Sequence, residues 1–158
     1  VQVGIYDQSG NKVGTASRTI VSAFGGDPGY VRHESLELDE GVQGTGFASR
    51  WNANAEQAYR QQGMDHIELG ANIDVGGYAW ARAGYDFRDG DSREGVATRA
   101  RDKSFDYDEG TRRAIERVAS NPRSTPADFA MIGHTPGATM WPGKEIMLGS
   151  SWQGVKKL

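Results

Sequence analysis

The chain has 158 residues, 37% of them hydrophobic and 25% charged, enough for one compact domain with a core and too few for two ordinary ones. Its net charge of -3 and pI near 5.6 exclude the broad basic surface that nucleic acid or an anionic membrane would select. The absence of cysteine excludes disulfides, thiolate nucleophiles and zinc held by sulfur, and His33, His66 and His134 are too far apart in sequence to suggest a metal site.

No apolar run approaches the roughly 20 residues of a membrane span, and no basic stretch followed by an apolar one opens the chain. A cytoplasmic protein with no membrane partner, no nucleic acid and no metal is expected. Val1, Val3 and Ile5 alternate with polar or small residues, Asp7 to Asn11 supply turn chemistry, and Val13 resumes an extended stretch to about Ile20, which predicts a hairpin. After the breakers Gly25-Gly26-Asp27-Pro28-Gly29, Tyr30 to Leu38 reads as a third antiparallel strand. From Phe47 the period changes to about 3.6, with Phe47, Trp51, Ala55 and Ala58 or Tyr59 on one stripe, an amphipathic helix ended by Gly63. His66 to Asn72 alternates as a strand. Tyr78 to Ala83 reads as a short helix, closed by Gly84 and running into a strand at Tyr85 to Phe87.

Arg88 to Lys103 is charged and bears glycine without a sustained period, and reads as a loop or a weakly ordered insertion. Asp108 is placed to cap a helix reaching Ala119. Thr125-Pro126-Ala127-Asp128 holds the residues of a capping box for a second helix, which should end near Gly133. Glu145 to Leu148 reads as a final strand, with Trp152 as the last large apolar anchor, and no repeat or linker divides the chain.

The order strand, glycine turn, helix, strand is an α/β pattern whose loop glycines gather at Gln43-Gly44-Thr45-Gly46-Phe47-Ala48. A helix start offers free N–H groups and a partial positive charge, and glycines let a pyrophosphate approach them. A P-loop needs Gly-Lys-Ser or Gly-Lys-Thr where this chain has Gly46-Phe47-Ala48, and a dinucleotide fingerprint needs a third glycine where Ser49 stands. Gln43, Gly46 and Ala48 instead meet the pattern Gln or Arg, two residues, Gly, one residue, Gly or Ala, and in this the chain resembles the GNAT superfamily of acyl-CoA-dependent N-acyltransferases. The flanks agree: Leu36-x-Leu38 is similar to the end of the family's fourth strand, the helix from Phe47 to its third helix, and His66 to Asn72 to its fifth strand. Tyr78 to Tyr85 is similar to its last short helix, so the resemblance covers about residues 1 to 87.

The resemblance implies an α+β fold with a mixed, mostly antiparallel central sheet, flanking helices, and an insertion or extension over 88–133. It implies acetyl-CoA, or another short acyl-CoA, as co-substrate, held by the backbone of Leu36 and Leu38, by Gln43, Gly44, Thr45, Gly46, Phe47 and Ala48, and by Asn72. It implies acyl transfer to a primary amine of a peptide or small molecule, with a base drawn from His33, Glu34 or Glu37 and a tyrosine on the short helix as acid. Strand alternation puts His33 and Glu37 on one face and Glu34 on the other. The position usual for the tyrosine holds Trp80, which leaves Tyr78 as the nearest substitute and admits a second reading, a non-catalytic coenzyme-binding or interaction module. The family's first strand and two helices have no counterpart ahead of Val1, which implies either a longer parent polypeptide or cover of the acceptor side by 88–133; a homodimer is the other partner the resemblance admits.

Overall fold

A computed structural model of the chain describes residues 1–71 and 76–158. Its strands are β1 (Gln2–Tyr6), β2 (Lys12–Val21), β3 (Tyr30–Leu38), β4 (His66–Ala71), β5 (Asp86–Phe87) and β6 (Trp152–Lys157). Its α-helices are α1 (Phe47–Gln61), α2 (Gly76–Arg82), α3 (Gly90–Lys103), α4 (Glu109–Ser120), α5 (Pro126–Ala130) and α6 (Pro142–Leu148). The strands follow the order β1-β2-β3-β4-β6-β5. Pairing is antiparallel from β1 to β3 and between β5 and β6, and parallel between β3 and β4. This is the mixed, mostly antiparallel sheet with helices that the sequence leads one to expect. The chain divides into two compact units, 1–69 with 156–158 and 70–155. No helix among the described residues is long and apolar enough to cross a membrane.

In the first unit the β1–β2 turn is held by Asp7, whose carboxylate accepts the N–H groups of Ser9 at 2.8 Å and Asn11 at 2.9 Å. The β2–β3 ladder is interrupted: Ser17 pairs with Ser35 but Arg18 with His33, so Glu34 is an extra residue on β3, a β-bulge. The bulge inverts the alternation beyond it. Val31 and His33 lie on the buried face with Ala16 and Arg18, and Leu36, opposite Ala16, returns to that face. Glu37, opposite Thr15, points the other way, as does Glu34, whose carboxylate accepts the Thr19 hydroxyl at 3.0 Å. The expected sharing of one face by His33 and Glu37 is thus corrected, because strict alternation holds only along an uninterrupted ladder.

Helix α1 covers the His33 face, with the Tyr59 ring edge-on to the imidazole at 5.9 Å. Its most buried residues are Asn52 and Glu56, while Trp51, Ala55 and Tyr59 are half-buried and Ala58 is exposed. The inward stripe is therefore turned away from the apolar line read from the sequence. Glu56 is accommodated there by Lys156, 2.8 Å away, and by Arg60 at 3.5 Å.

In the second unit the expected loop from Arg88 to Lys103 is instead largely helix α3, capped by Asp89, which accepts the Ser92 N–H at 2.7 Å. Its period is faint because its buried side consists of Val96, Ala97 and Ala100. Its arginines reach past it to carbonyls, Arg93 to Ala119 and Asn121 and Arg99 to Ile146. Asp108 caps α4 and the Thr125/Asp128 capping box starts α5 as read. Glu145 to Leu148 is not a strand but the end of α6, since Pro142 suits a first helical turn and Gly143, Ile146 and Met147 fall on one buried side at helical spacing. The last strand is β6. Phe87 lies edge-on to Phe129 at 6.1 Å and to Trp152 at 5.4 Å, joining β5 and β6 to the helical core.

Candidate functional site

The parallel β3/β4 ladder runs from Tyr30 opposite His66 to His33 opposite Leu69. β3 continues past that last pair from Glu34 to Leu38, with β2 along its other edge. The turn that follows is braced from within. Gln43 Nε2 donates to the Leu38 carbonyl at 2.7 Å, and the Thr45 hydroxyl donates to the Val42 carbonyl at 2.7 Å. Gly44 and Gly46 have φ of +73° and +77°, left-handed values that L side chains rarely adopt, which is why glycine stands at both positions. Gly46 directly precedes α1 as its N-cap, and among the described residues no side-chain cap hydrogen bond forms at that helix start.

Arg50 adds a cation to this turn. Its Nη1 donates to the Thr45 carbonyl at 3.3 Å and would lie 3.2 Å from a Cβ added at Gly46. Arg50 is exposed and lies off the apolar stripe of Phe47, Trp51 and Ala55. The signal of its reach was present in its spacing, because a side chain four residues after Gly46 leans back over the first turn. The turn thus joins uncapped amides, a helix dipole and a guanidinium, the elements of an anion site.

Glu34 and Glu37 are exposed on the face away from α1. Glu37 lines a hollow of about 340 Å³ together with Lys12, Gly14, Thr15, Leu38 and Asp39. Leu36 and Leu38 are half-buried along β3. His33 is only 4% exposed, and burial, helped by the Arg18 charge, pushes its pKa down to about 3. An imidazole that stays neutral to that pH is a poor proton acceptor from an ammonium group. Tyr78 belongs to the second unit, where its ring lies edge-on to Trp141 at 5.9 Å and 5.6 Å from the Lys144 ammonium. Trp80, in the same helix, packs edge-on to Tyr85 at 5.3 Å. Asn72 lies outside the described residues. Among the described residues no group of three or more His, Asp or Glu could hold a metal ion.

The His33 environment makes a pH prediction. Between pH 3 and its ordinary 6.5 the imidazole is neutral in the folded chain and protonated in the unfolded one, so the unfolded state binds more protons. His33 therefore contributes a loss of stability as pH falls through that window, up to about 1.4 kcal/mol per pH unit. Urea unfolding of His33→Gln should show a shallower decline of stability below about pH 6 than the wild type. Equal slopes would contradict a buried, neutral His33.

No family model matches the sequence, and no curated protein matches it. Among solved structures, the chain is similar to an acetyltransferase from Bacillus cereus at 16% identity, over 56% of this chain and 59% of that one, with a TM-score of 0.44. It is similar to a GNAT family N-acetyltransferase from Escherichia coli in complex with CoA at 21% identity, over 54% of this chain and 46% of that one, also with a TM-score of 0.44. An aminoglycoside 6'-N-acetyltransferase complexed with coenzyme A is similar at 17% identity, over 99% of this chain and 71% of that one, with a TM-score of 0.41. The chain thus spans less than two thirds of the first two structures.

Proposed function

We propose that the chain is a member of the GNAT superfamily whose first unit binds an acyl-CoA and serves N-acyl transfer to a primary amine of a peptide or small molecule. The observation that carries this reading is the sequence of elements in the first unit. A parallel strand pair ends at His33 and Leu69, β3 runs on beyond it, and two left-handed glycines lead to an uncapped helix start beside Arg50. A pyrophosphate fits the amides of Phe47 to Ser49 together with the Arg50 guanidinium. The β3 edge from Glu34 to Leu38 offers peptide groups to an extended amide-bearing arm.

Coenzyme A supplies the acyl group as a thioester. Glu34, oriented by Thr19, takes the proton that the incoming ammonium must lose before its nitrogen can attack, and Glu37 draws the cationic amine to the same face. The transfer forms the amide bond, breaks the thioester and leaves a thiolate that takes its proton from solvent. A cysteine-free chain suits a cytoplasmic setting. The second reading, a coenzyme-binding module without catalysis, is favoured by Trp80 at the position where the resemblance calls for tyrosine. Thiol release from acetyl-CoA, measured against a panel of amines and peptides, separates the two. Amine-dependent release supports transfer, saturable binding without release supports the module, and neither binding nor release removes both.

A further inference from the structure

Arg18 on β2 is only 7% exposed, and among the described residues no carboxylate forms an ion pair with it. A buried guanidinium without a counter-ion is costly and is often replaceable by an apolar side chain of similar volume. What this one does is visible in its hydrogen bonds: Nη1 donates to the Ser17 carbonyl at 2.8 Å and to the Ser35 carbonyl at 2.7 Å, while Nη2 has no partner among the described residues. Ser17 and Ser35 are the last pair before the ladder shifts at Glu34. The Arg18 N–H turns outward to the Val1 carbonyl at 2.8 Å, so the Ser17 carbonyl of the same trans peptide faces β3. There the bulge has disturbed the regular ladder, and the guanidinium supplies a donor to both carbonyls.

We infer that Arg18 is a positioning residue that locks the β3 bulge and so sets the direction in which Glu34 leaves the strand. Without the bulge, alternation would turn the carboxylates of Glu34 and Glu37 to opposite faces. The kinetic consequence rests on the acyl-transfer reading, whereas the structural one does not. Two variants test it, R18M, which keeps volume and removes every donor, and R18K, which keeps the charge and a single donor group. In R18M the amides from Glu34 to Leu38 should exchange at least about tenfold faster than in the wild type, with those of Ile67 and Leu69 unchanged. Turnover with an amine acceptor should fall about tenfold in kcat while the acetyl-CoA dissociation constant moves less than about threefold, with R18K intermediate. Unchanged exchange in R18M, or kcat and affinity falling together, would overturn the inference. If R18M does not fold, R18K carries the same comparison. If the wild type shows no turnover, the acyl-transfer reading fails while the exchange measurement alone still decides the role of Arg18.

Discussion

Replacing Gly46 with valine is expected to weaken acetyl-CoA binding at least about 100-fold, near 2.8 kcal/mol, and to abolish the rise in melting temperature that the proposed binding predicts for the wild type. Two effects add. The φ of +77° costs a residue with a Cβ about 1–2 kcal/mol, more for a branched one, so the turn relaxes away from its left-handed geometry. The new side chain also meets Arg50 Nη1, 3.2 Å from the Cβ position, beside the amides that a pyrophosphate needs. Gly63→Ala is the control, since Gly63 has a φ of +72° at the other end of α1 with open space around it. It should lose comparable stability and keep full ligand affinity. Retained affinity in Gly46→Val would mean that the coenzyme, if bound at all, is held elsewhere.

Gly143→Val should destabilise the protein by about 3 kcal/mol or more, seen as a lower urea midpoint. A Cβ at this position in the first turn of α6 would collide with the Phe129 carbonyl and lie 2.7 Å from both the Ala130 carbonyl and the Ile132 nitrogen. All three are backbone atoms, so relief requires α5 and α6 to separate and loosens the packing around Phe129, Ile146 and Met147, which are fully buried. A change below about 0.5 kcal/mol, the range of ordinary surface substitutions, would contradict the close α5–α6 approach.

The glycine turn of the first unit and the elements that flank it were legible because their signals are local. The breaker cluster before Tyr30, the glycines at 44 and 46, the 3.6 period from Phe47 and the left-handed Gly63 each act within a few residues. The bulge at Glu34 was not legible, because neither Ser17, Arg18 nor Glu34 carries a signature of it. It exists only in the pairing of two strands, and it reversed the face assigned to Glu37 relative to His33. Helix α3 was missed for another reason: Ala97 and Ala100 give almost no apolar contrast, so its evidence lay in the Asp89 cap and in arginines that satisfy distant carbonyls. Glu145 to Leu148 illustrates the ambiguity of a short apolar run, which Pro142 resolves in favour of helix. Burial of His33 with a buried Arg18 beside it is likewise a tertiary property, and it holds the imidazole neutral well below its ordinary pKa.

The most direct test of the central claim is an NMR titration of the backbone amides with acetyl-CoA. Coenzyme binding at the glycine turn predicts saturable shifts concentrated at Gly44 to Arg50, extending along β3 to Leu36 and Leu38. No saturable shift up to millimolar ligand, or saturable shifts that leave Gly44 to Arg50 untouched, would contradict it.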